Sequence, residues 1–401
     1  MDVAPRSDCL LDPIRLSAAR ETIAEIASAL PMPEESSVDH SLHQGHAGLA
    51  LFFATRACSE GASPTDHARA VAHLERALAL LVEGAHALHL GEGAAGVAWA
   101  AAHLAELGLI DVDEDFFADL DPQLLTWLDG HGARGYAELL YGVAGIGLYG
   151  WKRRHAGSGR AIVRAAVAAL SASAVRDGSG AVFWRRLRES IGDPEAVRCG
   201  IAHGIAGPLG FLGRASGLGD PEARSLVEAS TRWLRPLLVD REQSPSASAA
   251  ELGGRVAWCT GDLGLAGALR IAARACKLAE LEQAACALAE RSANRPTPHS
   301  GIGDAGLCHG AFGNAHVFHR WWQATGAPPF ADAALRWLDR GLALRRPGLI
   351  AHAFTSLAEM SSGLSPWGLL TGLAGIGLAL QTFCDARVPA WDGHLLLDLT
   401  N

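Results

Sequence analysis

Residues 93–108 read GAAGVAWAAAHLAELG: two glycines three positions apart, then a run of small and apolar residues. The run has the composition of an α-helix buried on every face, and the glycines stand at its start. Glycine there permits tight turns and close helix contact, because it has no Cβ. The same Gly-x-x-Gly core recurs seven times, starting at Gly45, Gly93, Gly142, Gly204, Gly261, Gly310 and Gly372, at intervals of 48, 49, 62, 57, 49 and 62 residues. Ahead of several cores lies a second helical stretch rich in Arg and Glu, such as DHARAVAHLERALALLVEG before Gly93. Self-similarity at such a period marks a repeat architecture. Each repeat is expected to be a helical hairpin with the glycines at the start of its second, buried helix and the charged first helix facing water. The last repeat is as apolar as the middle ones and shows no polar capping face, which favours a closed ring over an open solenoid. The expectation is therefore an all-α fold: an α/α toroid of seven hairpins, a single domain over residues 1–401, with the inner-helix N-termini gathered at one end. The longer intervals leave room for excursions at 176–199 and 240–258, the first with space for a short strand pair.

Composition narrows the function classes. Of 401 residues 49% are apolar and 19% charged, which gives a large core and argues against disorder. The net charge is −9, Lys occurs only at 152 and 277, and no basic tract carries interleaved aromatics. Nucleic acid and anionic membrane are thus poor candidates for a principal partner. The stretch MDVAPRSDCLLD lacks the basic start and apolar segment of a secretory signal, and the apolar runs fall short of the ~20 residues of a membrane span. The expectation is a soluble cytoplasmic protein. Eight Cys spread over the chain are too sparse for a disulfide scaffold, so each is a buried small residue, a metal ligand or a reactive thiol.

Several patterns carry no chemistry. Gly91/Gly93/Gly96, Gly145/Gly147/Gly150 and Gly301/Gly303/Gly306 spell GxGxxG, but none follows a strand or opens a βαβ unit, as a dinucleotide fingerprint requires. Asp39-His40-Ser-Leu-His43-Gln-Gly-His46 has His at steps of three, yet no Cys or ordered carboxylates complete a ligand set, and a polar loop entering the first inner helix accounts for it. His131, His155, His316, His319 and His352 carry no spacing signal.

Aligning the seven cores brings a different set together. The two residues before the first glycine are, in order, His43-Gln44, Gly91-Glu92, Leu140-Tyr141, Ala202-His203, Cys259-Thr260, Cys308-His309 and Leu370-Thr371. Neighbouring repeats five and six therefore place Cys259, Cys308 and His309 at the same end of the ring. Singly, each Cys reads as a small buried residue and the His as a helix cap. Together, two thiolates and an imidazole form a three-ligand set for catalytic zinc with a fourth position open, and sulfur ligands favour Zn²⁺ over Mg²⁺ or Ca²⁺.

WCTGDLG at 258–264 and CHGAFG at 308–313, set on seven Gly-rich helical repeats, resemble the LanC family of lanthipeptide cyclases. The resemblance runs from SLHQGHAGLALFF near residue 41 to AWDGHLLLD near residue 390 and includes GIAHGIAGPLGFL at 200–212. It implies an α/α toroid, zinc held by Cys259, Cys308 and His309, and an active site that includes His203 and Arg255. It also implies a reaction: addition of a Cys thiol of a dehydrated precursor peptide across dehydroalanine or dehydrobutyrine, closing a thioether ring. One departure stands out. The family pattern has Asp four residues before the third-repeat glycine, where this chain has Glu138. The carboxylate survives with one more methylene.

The chemistry suits those residues. A free thiol has a pKa near 8.5, so a metal must deprotonate and orient it. Attack at the β-carbon leaves an enolate, which a cation stabilises and an acid protonates; His203 suits the proton transfer, and Arg255 either enolate stabilisation or orientation of a neighbouring group. The expectation is a stand-alone zinc cyclase with a separate dehydratase as partner. A protein that holds zinc and a thiol peptide or glutathione without turnover is the alternative, and a zinc-free α/α-toroid hydrolase working through paired carboxylates is a third.

Overall fold

The computed structural model describes residues 10–34, 38–84, 86–113, 115–131, 136–185, 197–239, 255–346, 354, 365–385 and 387–400. Among them lie fourteen α-helices. Seven are buried: α2 (His46–Ala57), α4 (Ala94–Glu106), α6 (Val143–Lys152), α8 (Ala206–Gly217), α10 (Asp262–Cys276), α12 (Ala311–Thr325) and α14 (Leu373–Cys384). Seven more surround them: α1 (Pro13–Ala29), α3 (Asp66–Val82), α5 (Leu120–His131), α7 (Gly157–Ser173), α9 (Pro221–Val239), α11 (Ala279–Ala293) and α13 (Pro328–Ala343). The two sets show different patterning. In α4 every residue from Ala95 to Leu104 is buried. In α13 the buried residues are Phe330, Ala333, Ala334, Trp337, Leu338 and Gly341, the one-sided stripe of a surface helix. Burying side chains such as Phe330 and Leu338 stabilises the fold by roughly 1.5–3 kcal/mol each.

The hairpin pairing differs from the sequence expectation. Between its two outer neighbours, an inner helix generally packs more closely on the one that follows it, as α2 does on α3, α6 on α7, α8 on α9, α10 on α11 and α12 on α13; α4, which packs on the preceding α3, is the exception. Turn length explains this. α10 and α11 are separated only by Lys277 and Leu278, with Lys277 in the left-handed region (φ 58°), and α12 ends on Gly326 (φ 69°) just before the prolines that open α13. The outer-to-inner connections are long, and they carry the chemistry-bearing loops. The ring closes because α1 supplies the outer partner of α14, while α14 packs on α2. Arg15 of α1 also forks onto Asp339 of α13 through two 2.8 Å hydrogen bonds.

Two repeating contacts set the geometry of the mouth. The first uses the second glycine of each core. A Cβ on Gly96 would lie 2.1 Å from the carbonyl oxygen of Leu90 and 2.9 Å from Leu42 Cβ in the preceding repeat; on Gly375 it would lie 1.7 Å from the Leu369 oxygen. The same carbonyl, six residues back, faces the second glycine in all seven repeats. The second contact is a belt of backbone hydrogen bonds between residues two positions before the first glycine. His43 N–H donates to Gly91 O (3.2 Å), Gly91 to Leu140 O (2.8 Å), Ala202 to Cys259 O (3.3 Å), Cys259 to Cys308 O (3.3 Å) and Cys308 to Leu370 O (2.7 Å). Leu369 N–H donates to His43 O (2.8 Å) and joins last repeat to first.

After α14 the chain turns into the ring. Trp391, Asp392 and all residues from His394 to Leu399 are buried there. Arginines of three inner helices donate to the segment's carbonyls: Arg320 to Leu397 (3.0 Å), Arg214 to Asp398 (2.9 Å) and Arg270 to Leu399 (3.2 Å). Asp392 meets His316 (2.9 Å) and Arg320 (3.0 Å), all three fully buried. The segment thus fills the lumen beneath the mouth. The only strands among the described residues, Val175–Arg176 and Val182–Phe183, pair antiparallel at the start of the expected 176–199 excursion. Residues 186–196 of that excursion, and 240–254 of the second, lie outside the described residues.

Candidate metal centre

The belt explains why Cys259 and Cys308 meet. They occupy the same register position in neighbouring repeats, and the Cys259 N–H to Cys308 O bond sets their backbones side by side. Gly261 shapes the first of the two loops. Its φ is +123°, a region that side chains resist, and a Cβ there would lie 2.1 Å from the Arg255 carbonyl oxygen. From below, the Trp258 indole N–H donates to the Leu395 carbonyl (2.9 Å), so the lumen segment braces the residue next to Cys259.

His309 completes the group. Its Nδ1 is 3.9 Å from Cys259 Sγ, and the donor atoms of Cys259, Cys308 and His309 all lie within 4.8 Å of one another. It is the only cluster of this kind among the described residues. Tetrahedral zinc, with Zn–S about 2.3 Å and Zn–N about 2.0–2.1 Å, wants donor atoms roughly 3.5–3.8 Å apart, so the set fits with a small contraction. The electrostatics agree. The Cys308 thiol beside Cys259 holds the Cys259 thiol well below the usual range, against the opposing effect of burial, and His309 and Arg255 act in the same sense. Cys308 moves upward in turn, through Cys259 and burial.

The other expected residues fall beside this group. His203 follows Ala202, whose N–H donates to the Cys259 carbonyl, so the belt sets the backbone of repeat four beside that of Cys259. Its Nδ1 is 2.8 Å from Glu138 Oε2, so the longer side chain of Glu138 does reach His203. Arg255 lies 3.9 Å from Asp304, and Asp304 in turn 3.8 Å from His309 Nε2.

Three neighbours escaped the sequence reading. Tyr141 stacks on His203 with ring centroids 5.7 Å apart and an 11° interplanar angle, and its hydroxyl donates to Glu92 (3.1 Å). Asp304 is the third. Its signal was available: it precedes Cys308 by four residues, as Arg255 precedes Cys259. The histidines of 39–46 are used elsewhere. His40 meets the Glu92 carbonyl (3.1 Å), His43 is buried beside His394, and His46 shares a 3.0 Å hydrogen bond with His73. His316 and His319 are buried and His155 is exposed. His352 and the side chain of His131 lie outside the described residues.

Fold and site together define an α/α toroid with a thiol–imidazole cluster at the mouth, built from the fifth and sixth of seven repeats. The sequence matches the family described as lanthionine synthetase C-like protein over residues 36–396, and the chain belongs to that family. Among solved structures it is similar to one titled nisin cyclase, with a TM-score of 0.72 and 16% sequence identity over 94% of this chain and 96% of that one. That likeness speaks for the fold.

Proposed function

We propose that this chain is a zinc-dependent lanthipeptide cyclase, closing (methyl)lanthionine rings by adding peptide Cys thiols to dehydroalanine or dehydrobutyrine. The observation that carries the reading is the convergence of Cys259, Cys308 and His309 within 4.8 Å, on the same belt of repeats that carries the Glu138–His203 pair, in the toroid of this family. Cys259 and Cys308 Sγ and His309 Nδ1 would hold the ion. Zinc bound there would lower the pKa of an incoming thiol and orient its sulfur.

The remaining work falls to side chains. Glu138 accepts from His203 Nδ1, which fixes the tautomer and makes Nε2 the ring atom that moves a proton. As the new S–Cβ bond forms, the C=C electron pair shifts to the substrate carbonyl as an enolate. His203 Nε2 delivers a proton to Cα, and the thiol's own proton replaces it, so the addition balances with no co-reactant. Tyr141 limits rotation of the imidazole by stacking on it. Arg255 stands on the sulfur side, where its charge favours thiolate and enolate alike. The substrate would arrive already dehydrated, so a separate dehydratase is the natural partner. No described helix is long and apolar enough to cross a membrane, in keeping with a cytoplasmic peptide-modifying enzyme.

The test joins metal analysis to thiol blocking. Wild-type protein should carry one zinc per chain, lost in Cys259→Ala and Cys308→Ala. A dehydrated precursor peptide should lose alkylatable thiols at constant mass before blocking. Thioether formation that persists in Cys308→Ala would refute the zinc mechanism. Zinc bound with no thioether formed from any dehydrated peptide would instead favour a zinc- and thiol-peptide-binding protein.

A further inference from the structure

We infer that Asp304 is a positioning residue of the metal centre, tethering His309 on one side and Arg255 on the other through a single carboxylate oxygen. The inference rests on the reading that Cys259, Cys308 and His309 hold a metal. A ligating imidazole needs its second ring nitrogen held, or the ring swings and the first nitrogen loses its aim. Here His309 Nδ1 faces Cys259 Sγ at 3.9 Å, and the nitrogen on the opposite edge, Nε2, faces Asp304 Oδ2 at 3.8 Å. The same oxygen is 3.9 Å from the Arg255 guanidinium. One carboxylate thus sits between the imidazole of repeat six and the guanidinium of repeat five.

The backbone around Asp304 keeps it in place. Its Oδ1 accepts from Gly306 N–H (3.0 Å), its carbonyl accepts from Ala311 N–H (2.9 Å), and Gly310 leaves no room for a side chain, since a Cβ there would lie 2.2 Å from Oδ1. Oδ1 therefore serves the turn and Oδ2 faces the site. The ring provides its own comparison in repeat one. Asp39 occupies the equivalent position, its Oδ1 accepts from Ser41 N–H (2.7 Å), and a Cβ on Gly45 would lie 2.0 Å from that oxygen. The turn is the same, but no metal ligand accompanies it. Building the turn therefore does not account for what the second oxygen of Asp304 faces. Charge points the same way: two thiolates and this carboxylate are matched by a dication and the Arg255 guanidinium.

Asp304→Asn separates the two tasks, because the amide oxygen can still accept from Gly306. Wild type, Asp304→Asn and Asp39→Asn would be titrated with zinc against a chromogenic chelator, and with cobalt(II) followed by its visible spectrum. Asp304→Asn should weaken zinc binding about 10–100-fold and shift the cobalt bands. Its metal-free unfolding midpoint should stay unchanged, and Asp39→Asn should match wild type in every readout. Wild-type affinity with an unshifted spectrum in Asp304→Asn would overturn the inference alone, as would an equal loss in Asp39→Asn. Failure of the wild type to bind zinc would overturn the metal reading beneath it.

Discussion

Gly313→Ala is the sharpest probe of how the ring holds its ligands. In a helix that substitution ordinarily stabilises, by about 1 kcal/mol. Here the added Cβ would lie 1.9 Å from the Leu307 carbonyl oxygen and 2.6 Å from the Leu307 carbonyl carbon, where about 3.0 Å is the practical minimum. Leu307 must retreat by more than 1 Å, and it is bonded directly to Cys308. Metal–ligand distances tolerate only about 0.2 Å. The variant should therefore lose about 2–3 kcal/mol or more of stability, at the upper end of overpacking costs. Its zinc binding should fall at least as far as in Cys308→Ala. Gly96→Ala is the matched control: its Cβ would lie 2.1 Å from the Leu90 oxygen, in a repeat that contributes no proposed ligand. Urea unfolding of the metal-free proteins, with zinc competition titration, measures both effects. Both variants should be destabilised, and only Gly313→Ala should lose zinc out of proportion. A Gly313→Ala protein with wild-type unfolding and wild-type zinc affinity would refute it.

Glu138→Ala leaves His203 Nδ1 without its 2.8 Å partner and should slow thioether formation by about 10²–10⁴-fold at unchanged zinc content; activity equal to wild type would remove the pair from the mechanism. The buried histidines make a pH prediction. Burial, chiefly, holds His46 and His394 down to about 4 and His73 to about 3, against about 6.5 when unfolded. Their folded values are depressed, so the stability they contribute is complete above pH 6.5 and is lost as pH falls from there toward 4. The slope approaches about 1.4 kcal/mol per pH unit for each such histidine. Metal-free protein should unfold at lower urea at pH 5 than at pH 7.5, and an equal or higher midpoint at pH 5 would contradict this.

Much of the architecture was legible because the glycines admit no substitute. A carbonyl oxygen 1.7 to 2.6 Å from a missing Cβ leaves one residue type available, and its recurrence exposes the register. That register also made Cys259 and Cys308 equivalents, and their equivalence became a backbone hydrogen bond. The hairpin partners were less legible, since apolar and charged stretches alternate identically in either pairing and only the turn lengths decide. Asp304 went unread in the sequence: its spacing from Cys308 was there, but the oxygen that faces the site acts across repeats, toward Arg255 of repeat five. Residues 391–399 mix Trp, Asp, Gly, His and Leu without helical or strand periodicity, so nothing in their order announced burial inside the ring.

That buried segment makes the molecule a cup and not a tube. With arginines 214, 270 and 320 gripping its backbone, no polypeptide can be drawn through the hole. Under the proposed cyclase function, a peptide worked on at the rim would leave the way it came. Several rings on one peptide would then form by separate visits, each presenting a fresh loop, and their order would follow from how the peptide folds back on itself between visits.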